Sequence, residues 1–348
     1  MDINIELAEK YLKTHLKLTE TTNKYKSSIC LYDFFCFNNI KICEKIKEKY
    51  NLSSKYHIIN SYSSITIGEI SEKIYHYNTN NNNKYVLLEY NNIKQIDFND
   101  FMFNLPNPKL FIFHVLDSYT FLLNSLLNLE QIGICFFSLS TKNIIFCENY
   151  KPILKNFETS LLIEKCSDIN YFCQIIEKIE DYTYKPLEIH VVFYLIKNNE
   201  NSLSFTDIDS ICNNFVKNMS ILSLFSQQYR ENYYKLSMES LKKYINKPKT
   251  EIITEIIKHS ATWDNYELSI LYLHIIGNIT RVFSLKDNFV SKTTGILSKN
   301  ISPDPTKRDT LIISIEKIDN LYCEFTDWEY INSISKEKMK KLFETLLN

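Results

Sequence analysis

Apolar positions recur at helical spacing through most of this chain and at strand spacing only in short runs in its first quarter. Phe37–Tyr50 mixes Lys, Glu and Ile with a period near that of a helix and predicts one. Ser61–Ile70 and Lys84–Tyr90 (KYVLLEY) predict two strands, and the polar run Asn78–Asn83 between them predicts a solvated turn. In the second strand, alternation puts Val86, Leu88 and Tyr90 on one face. A short strand is expected near Ser28–Tyr32, with the rest of residues 1–60 mainly helical. Asn107–Leu129 predicts a helix with a stripe of Phe113, Leu116, Leu123 and Leu127. Gly133 ends it, and Ile134–Phe146 follows as short apolar runs around a polar centre. From about Thr206 the pattern is helical almost to the end, with breaks at Pro248 and Ser302–Pro305. A small mixed region ahead of a large helical one predicts a two-lobed α+β architecture.

Composition narrows the function classes more than the fold. With 348 residues, 45% of them hydrophobic, the chain can bury a large core as one large domain or two moderate ones. Forty Lys and Arg against 41 Asp and Glu leave a net charge of -1, so no global charge points to a nucleic-acid partner. The nine cysteines include no C-x-x-C pair, and their odd number argues against a complete disulfide framework. They read as reduced, mostly buried thiols of a cytoplasmic protein. The seven histidines show no metal-ligand spacing. Asp207 and Asp209 read as helix N-terminal residues. The opening MDINIELAEKYLKTH is acidic and amphipathic, unlike a secretory signal. Leu110–Leu129 is interrupted by His114, Asp117, Asn124 and Asn128, so it reads as a core helix and no membrane association is expected. At the C-terminus, SKEKMKKLFETLL puts Met339, Leu342, Phe343 and Leu346 on one face, suited to docking on the body of the protein.

Five segments, in order, resemble the signature motifs of protein kinases. Gly133–Glu158 (GICFFSLSTKNIIFCENYKPILKNFE) is similar to the catalytic segment G-I-x-H-R-D-L-K-P-x-N-I-L that ends in D-F-G. In that ungapped register Leu139 falls on the loop leucine, Asn143 on the metal-binding asparagine and Phe157 on the phenylalanine of D-F-G. KYVLLEY resembles the last strand of the smaller lobe, with Glu89 and Tyr90 at the hinge of the nucleotide cleft. YKPLEI (Tyr184–Ile189) resembles Y-x-A-P-E-L with its proline one position early. WDNYELSILYL (Trp263–Leu273) resembles D-x-W-S-L-G-x-x-L-Y, with Asp264 at its first aspartate, and SPDPTKRDT (Ser302–Thr310) resembles D-P-x-x-R-P-T. In the family the glutamate of the first of these pairs with the arginine of the last, which here implies Glu188 with Arg308. Among such proteins, the divergent kinase-like proteins of large nucleocytoplasmic DNA viruses are the most similar in character.

The departures fall on the chemistry. The catalytic aspartate is replaced by Ser138, a poor base at neutral pH, and the His-Arg before it by Phe136 and Phe137. Asn156 stands at the D-F-G aspartate and Glu158 at its glycine. Neutral amides hold magnesium weakly, and a carboxylate at the glycine position repels phosphates. Gly68 is the only glycine before Gly133, so no glycine-rich loop exists to cradle phosphates. Lys26, Glu44 and Glu48 are candidates for the phosphate-steadying lysine and its glutamate, although each suits a solvated surface better.

The resemblance therefore implies a bilobal protein-kinase-like α+β fold. Residues 1–90 would form a reduced smaller lobe and 91–348 a large helical lobe, with an insertion at about 198–262. That insertion would either complete the core or present a platform for a partner. The expected function is a catalytically degenerate pseudokinase acting through a protein partner, in the cytoplasm (host cytoplasm or virion, if viral). The alternatives are an unconventional Ser/Thr-type protein kinase or ATP-binding switch, and a structural virion component. ATP and magnesium enter only if Glu89, Tyr90, Asn143 and Asn156 still frame a nucleotide site.

Overall fold

The computed structural model describes residues 25–49, 55–65, 85–104, 107–147, 150–283, 288–324 and 336–347. The opening segment, the turn at Asn78–Asn83 and the end of the strand expected to reach Ile70 lie outside them. Strand β1 (Tyr25–Leu31) leads into helix α1 (Phe34–Lys49), and the chain continues through β2 (Tyr56–His57), β3 (Ile59–Ile65) and β4 (Tyr85–Asn91). β4 lies between β1 and β3, antiparallel to both. Asp33 starts α1 by accepting the Cys36 amide at 2.8 Å. Helix α1 covers this sheet through a small core of Cys36, Ile40, Cys43, Ile59, Val86 and Leu88. Within 25–60, β1 is the strand expected near Ser28–Tyr32, and the mainly helical expectation holds for α1 but not for Tyr56–His57 or the start of β3, which pair with β8 and β4 instead. The single buried face expected for Val86, Leu88 and Tyr90 also differs. As the central strand, β4 buries Leu87 on the other face as well, while Tyr90 stays half-buried.

A second, four-stranded sheet runs β2–β8–β7–β5, with β5 (Ile96–Asp97), β7 (Ile144–Phe146) and β8 (Pro152–Lys155). β6 (Ile134–Cys135) pairs with β9 (Leu161–Leu162), so the stretches on either side of 136–160 are held together. Helix α2 (Phe98–Phe103) precedes the long α3 (Pro108–Gln131). Among the described residues α3 is the one helix long and apolar enough to cross a membrane. It is nevertheless a core helix, burying Phe111, Ile112, Val115, Tyr119, Leu122, Leu126 and Leu129. The stripe is rotated from the expected one: Leu116 and Leu123 are inside, but Phe113 is 54% exposed.

The remainder is helical: α4 (Ile169–Lys178), α5 (Leu187–Lys197), α6 (Phe205–Asn218), α7 (Gln227–Leu241), α8 (Lys249–Ile257), α9 (Trp263–Phe283), α10 (Phe289–Asn300), α11 (Leu311–Glu324) and α12 (Lys336–Leu347). The centre is α9, in which every residue from Trp263 to Leu273 is buried. Helices α6 to α8, in the stretch expected as an insertion, send Ile208, Phe215, Tyr233, Leu241 and Ile252 into the same core as α3 and α9. Asp207 closes a capping box with Ser204 at the start of α6 and accepts the Tyr194 hydroxyl. Helix α12 docks through Met339 and Leu342, with the Phe343 ring against Phe103 and Phe111. The molecule is thus a mixed α+β protein of small sheets and a large helical body.

Candidate functional site

The loop Phe136–Asn143, between β6 and β7, is gripped from below by α9. Asp264 and Glu267, one helical turn apart, both face it. Asp264 accepts the Phe136 and Phe137 amides at 2.8 Å each, and Glu267 accepts the Leu139 amide at 3.0 Å. Lys185 joins them from the approach to α5. Its Nζ lies 2.7 Å from Glu267 Oε1, donates to the Phe137 carbonyl at 2.6 Å and sits over the Phe137 ring. All three charged side chains are buried. Burial raises the carboxyl pKa of both Asp264 and Glu267; the amides they accept and the Lys185 ammonium oppose that rise. Phe137 has φ 53°, the left-handed region that an aromatic residue rarely adopts. Bonds to its amide, its carbonyl and its ring hold it there.

Above this base lies a short polar chain. Ser138 and Thr159 share a hydroxyl–hydroxyl bond of 2.5 Å. Asn143 Nδ2 donates to the Ser138 carbonyl at 2.7 Å, and Asn156 Nδ2 donates to Asn143 Oδ1 at 2.8 Å. Asn156 has φ 64°, which asparagine tolerates better than most residues. Phe157 turns inward from the same segment, its ring edge-on to Phe136 at 5.2 Å and Tyr56 at 6.1 Å. Glu158 points the other way: it is exposed, and its charge acts on Cys30 and Cys36. The Glu158 carbonyl, with that of Ser160, accepts from Asn38 of α1 at 3.1 and 2.8 Å. Tyr171 completes this bracket by donating to Asn38 Oδ1 while accepting the Leu162 amide.

Ser138, Asn143 and Asn156 therefore come together. Glu89 and Tyr90, on β4, have other partners. Glu89 accepts from Ser61, and the Tyr90 ring stacks on His57 at 5.2 Å. Lys26 and Glu48 are exposed, while Glu44 is engaged by Lys41 and Tyr62 at the surface. Glu188, Asp264 and Arg308 are in the helical body. Arg308 donates to Glu188 through Nη1 and Nη2 at 2.6 and 2.8 Å, in a fork-on geometry, and through Nε to the Ser302 carbonyl. Trp263 Nε1 adds a third bond to Glu188 at 3.0 Å, and the guanidinium lies over the Tyr266 ring.

Sequence reasoning missed Asn38, Lys185, Glu267, Thr159 and Tyr171. Lys185 and Glu267 each stand three residues from a residue it singled out, Glu188 and Asp264. Asn38 carries no signal in a chain so rich in asparagine.

Magnesium, which a phosphotransfer reading would require, does not fit the donor set. The two side chains that the resemblance would make its ligands, Asn143 and Asn156, are neutral amides joined by a hydrogen bond, whereas the hard cation selects carboxylate oxygens. Among the described residues no group of three or more His, Cys, Asp or Glu is arranged to hold a metal ion. No protein-family model and no curated protein matches this chain.

Proposed function

We propose that this chain is a divergent kinase-like protein, a pseudokinase, that acts by binding another protein. One observation carries the reading: α9 still clamps loop 136–139 through Asp264, yet the side chain presented there is Ser138 and the potential metal ligands bond each other. A clamp of buried carboxylate on backbone amides serves to present a loop, and Ser138 can neither accept a proton at neutral pH nor add charge for a cation. The order of elements supports the kinase-like part: β1, α1, the strands β2 to β5 and the short α2 come before the long α3, then β6, the loop and a β7–β8 hairpin. So does the Glu188–Arg308 pair that ties Leu187–Lys197 to the segment before α11. The protein-binding part is supported by an aromatic patch at the start of α3. Phe113 and Tyr150, each 54% exposed, flank His114, with Leu110 beside them.

The test is nucleotide binding and phosphotransfer. With ATP and magnesium or manganese we expect no transfer to generic acceptors and no thermal shift. A ligand at a hundred times its Kd would stabilise the fold by about 2.7 kcal/mol, a readily measured change. Turnover that disappears in Asn143→Ala or Asn156→Ala would overturn the reading in favour of an unconventional kinase. A thermal shift without turnover would point to an ATP-binding switch.

A further inference from the structure

Where β1 hands over to α1, two thiols from one short segment lie against each other. Cys30 Sγ and Cys36 Sγ are 3.2 Å apart, a hydrogen-bonded pair that needs a shift of only about 1 Å to reach disulfide length. Cys36 is buried on the first turn of α1, whereas Cys30 is half-buried and followed by Leu31 and Tyr32, each 42% exposed. A small disulfide can therefore reach Cys30 and cannot readily reach Cys36. The groups facing the pair are the carboxylates of Asp33 and Glu158, the Tyr90 hydroxyl and the neighbouring thiol of Cys43.

We infer that Cys30 and Cys36 form a dithiol modification site, oxidised by small disulfides of the glutathione type, whose closure pins α1 to β1. The Cys30 thiolate attacks one sulfur of the small disulfide, forming a mixed disulfide and expelling one thiolate, which takes up a proton. Cys36 then loses its proton and attacks the Cys30 sulfur, and the second small thiol leaves. The protein gives up two electrons and two protons, and the small disulfide is reduced to two thiols. The order of attack follows the environment. The hydrogen bond from Cys36 favours the Cys30 thiolate and lowers its pKa, while the same bond and burial raise Cys36. Once Cys30 is capped, that bond and that charge are gone, which releases Cys36 to act.

Closure has a consequence beyond the pair. Asn38, two residues after Cys36, holds the carbonyls of Glu158 and Ser160. Fixing the start of α1 fixes one side of the bracket over the 156–160 segment. The inference does not depend on whether the chain is a pseudokinase.

Trypsin provides a direct readout, because cleavage after Lys26 and Lys41 releases SSICLYDFFCFNNIK, which contains these two cysteines and no other. The folded protein is treated with oxidised glutathione, remaining thiols are alkylated, and the digest is weighed. The expected peptide has lost two hydrogens and carries no alkyl group, and dithiothreitol reverses this. Cys36→Ser should stop at a glutathione adduct on Cys30, and Cys30→Ser should leave Cys36 unreacted. Amide exchange over Asn38–Cys43 should slow by about tenfold on oxidation of the natural chain. A doubly alkylated peptide, an adduct that persists on Cys30 in the natural chain, or closure that leaves exchange unchanged would each overturn the inference. The measurements on the natural chain stand even if a variant folds poorly.

Discussion

Glu188 and Arg308 are buried together with Trp263 and Tyr266, so each charge is compensated chiefly by the other. Removing one partner strands the other. Arg308→Ala should therefore cost about 3–5 kcal/mol in urea unfolding. The double change Glu188→Gln with Arg308→Met should cost less than the sum of the single changes, since it leaves no buried charge. A different residue sets an acid limit. The His190 ring is enclosed between Tyr182 and Phe215, and its Nε2 has no partner among the described residues. Burial pushes its pKa from the usual 6.5 down to about 4, opposed by hydrogen bonds to the Lys185 and Tyr182 backbone and by the Glu188 charge. The unfolded chain thus takes up the proton first as pH falls. The stability from neutral His190 is whole above about pH 6.5 and is lost on the way to pH 4, up to roughly 3 kcal/mol. His190→Gln should flatten this part of the stability curve, comparing urea midpoints at pH 7 and 4.5.

Single elements show what their neighbours do to a local pattern. The residues of α3 alternate as the sequence suggests, but which flank is covered depends on α9, α11 and the β8 strand packed around it, and that turns Phe113 outward. Loop 136–143 depends on its neighbours in the same way. Apart from the turn closed by the Asn143 amide on the Ser140 carbonyl, its backbone amides are held by carboxylates on α9. Asp264→Asn retains one acceptor and introduces a donor facing an amide. Amide exchange at Phe136 and Phe137 should rise sharply while exchange in β4 stays unchanged, at a stability cost of about 2–3 kcal/mol. The Asp264 contact is readable from sequence only through the motif resemblance, because 127 and 128 residues separate it from the amides it holds. Lys185 and Glu267 were not readable at all. A lysine and a glutamate are ordinarily solvated, and nothing local indicates that these two are buried together.

At the scale of the whole molecule, the described residues form two cores of unequal size. One cluster runs from α3 through α9 to α12, and six residues between α1 and the three-stranded sheet form the other. So small a core gives little resistance to local opening. Amides of β1 and β3 should exchange through an opening of lower free energy than those of α9, where exchange should track global unfolding; mass-resolved exchange would separate the two. Taken alone, the sequence determined the class of the fold and most of its helices, because periodic burial of apolar residues is a local property that survives without knowing the neighbours. It also determined that Ser138, Asn143 and Asn156, whatever their arrangement, bring no charge. The tertiary structure alone decided which face each helix buries, that α6 to α8 belong to the main core, and that Asn143 and Asn156 satisfy each other. It also decided that Cys30 rests on Cys36 and that Asn38 reaches the 158–160 backbone. These are matters of distance between segments remote in sequence or turned by a fold, and hydrogen bonds and thiol contacts act only within a few ångströms.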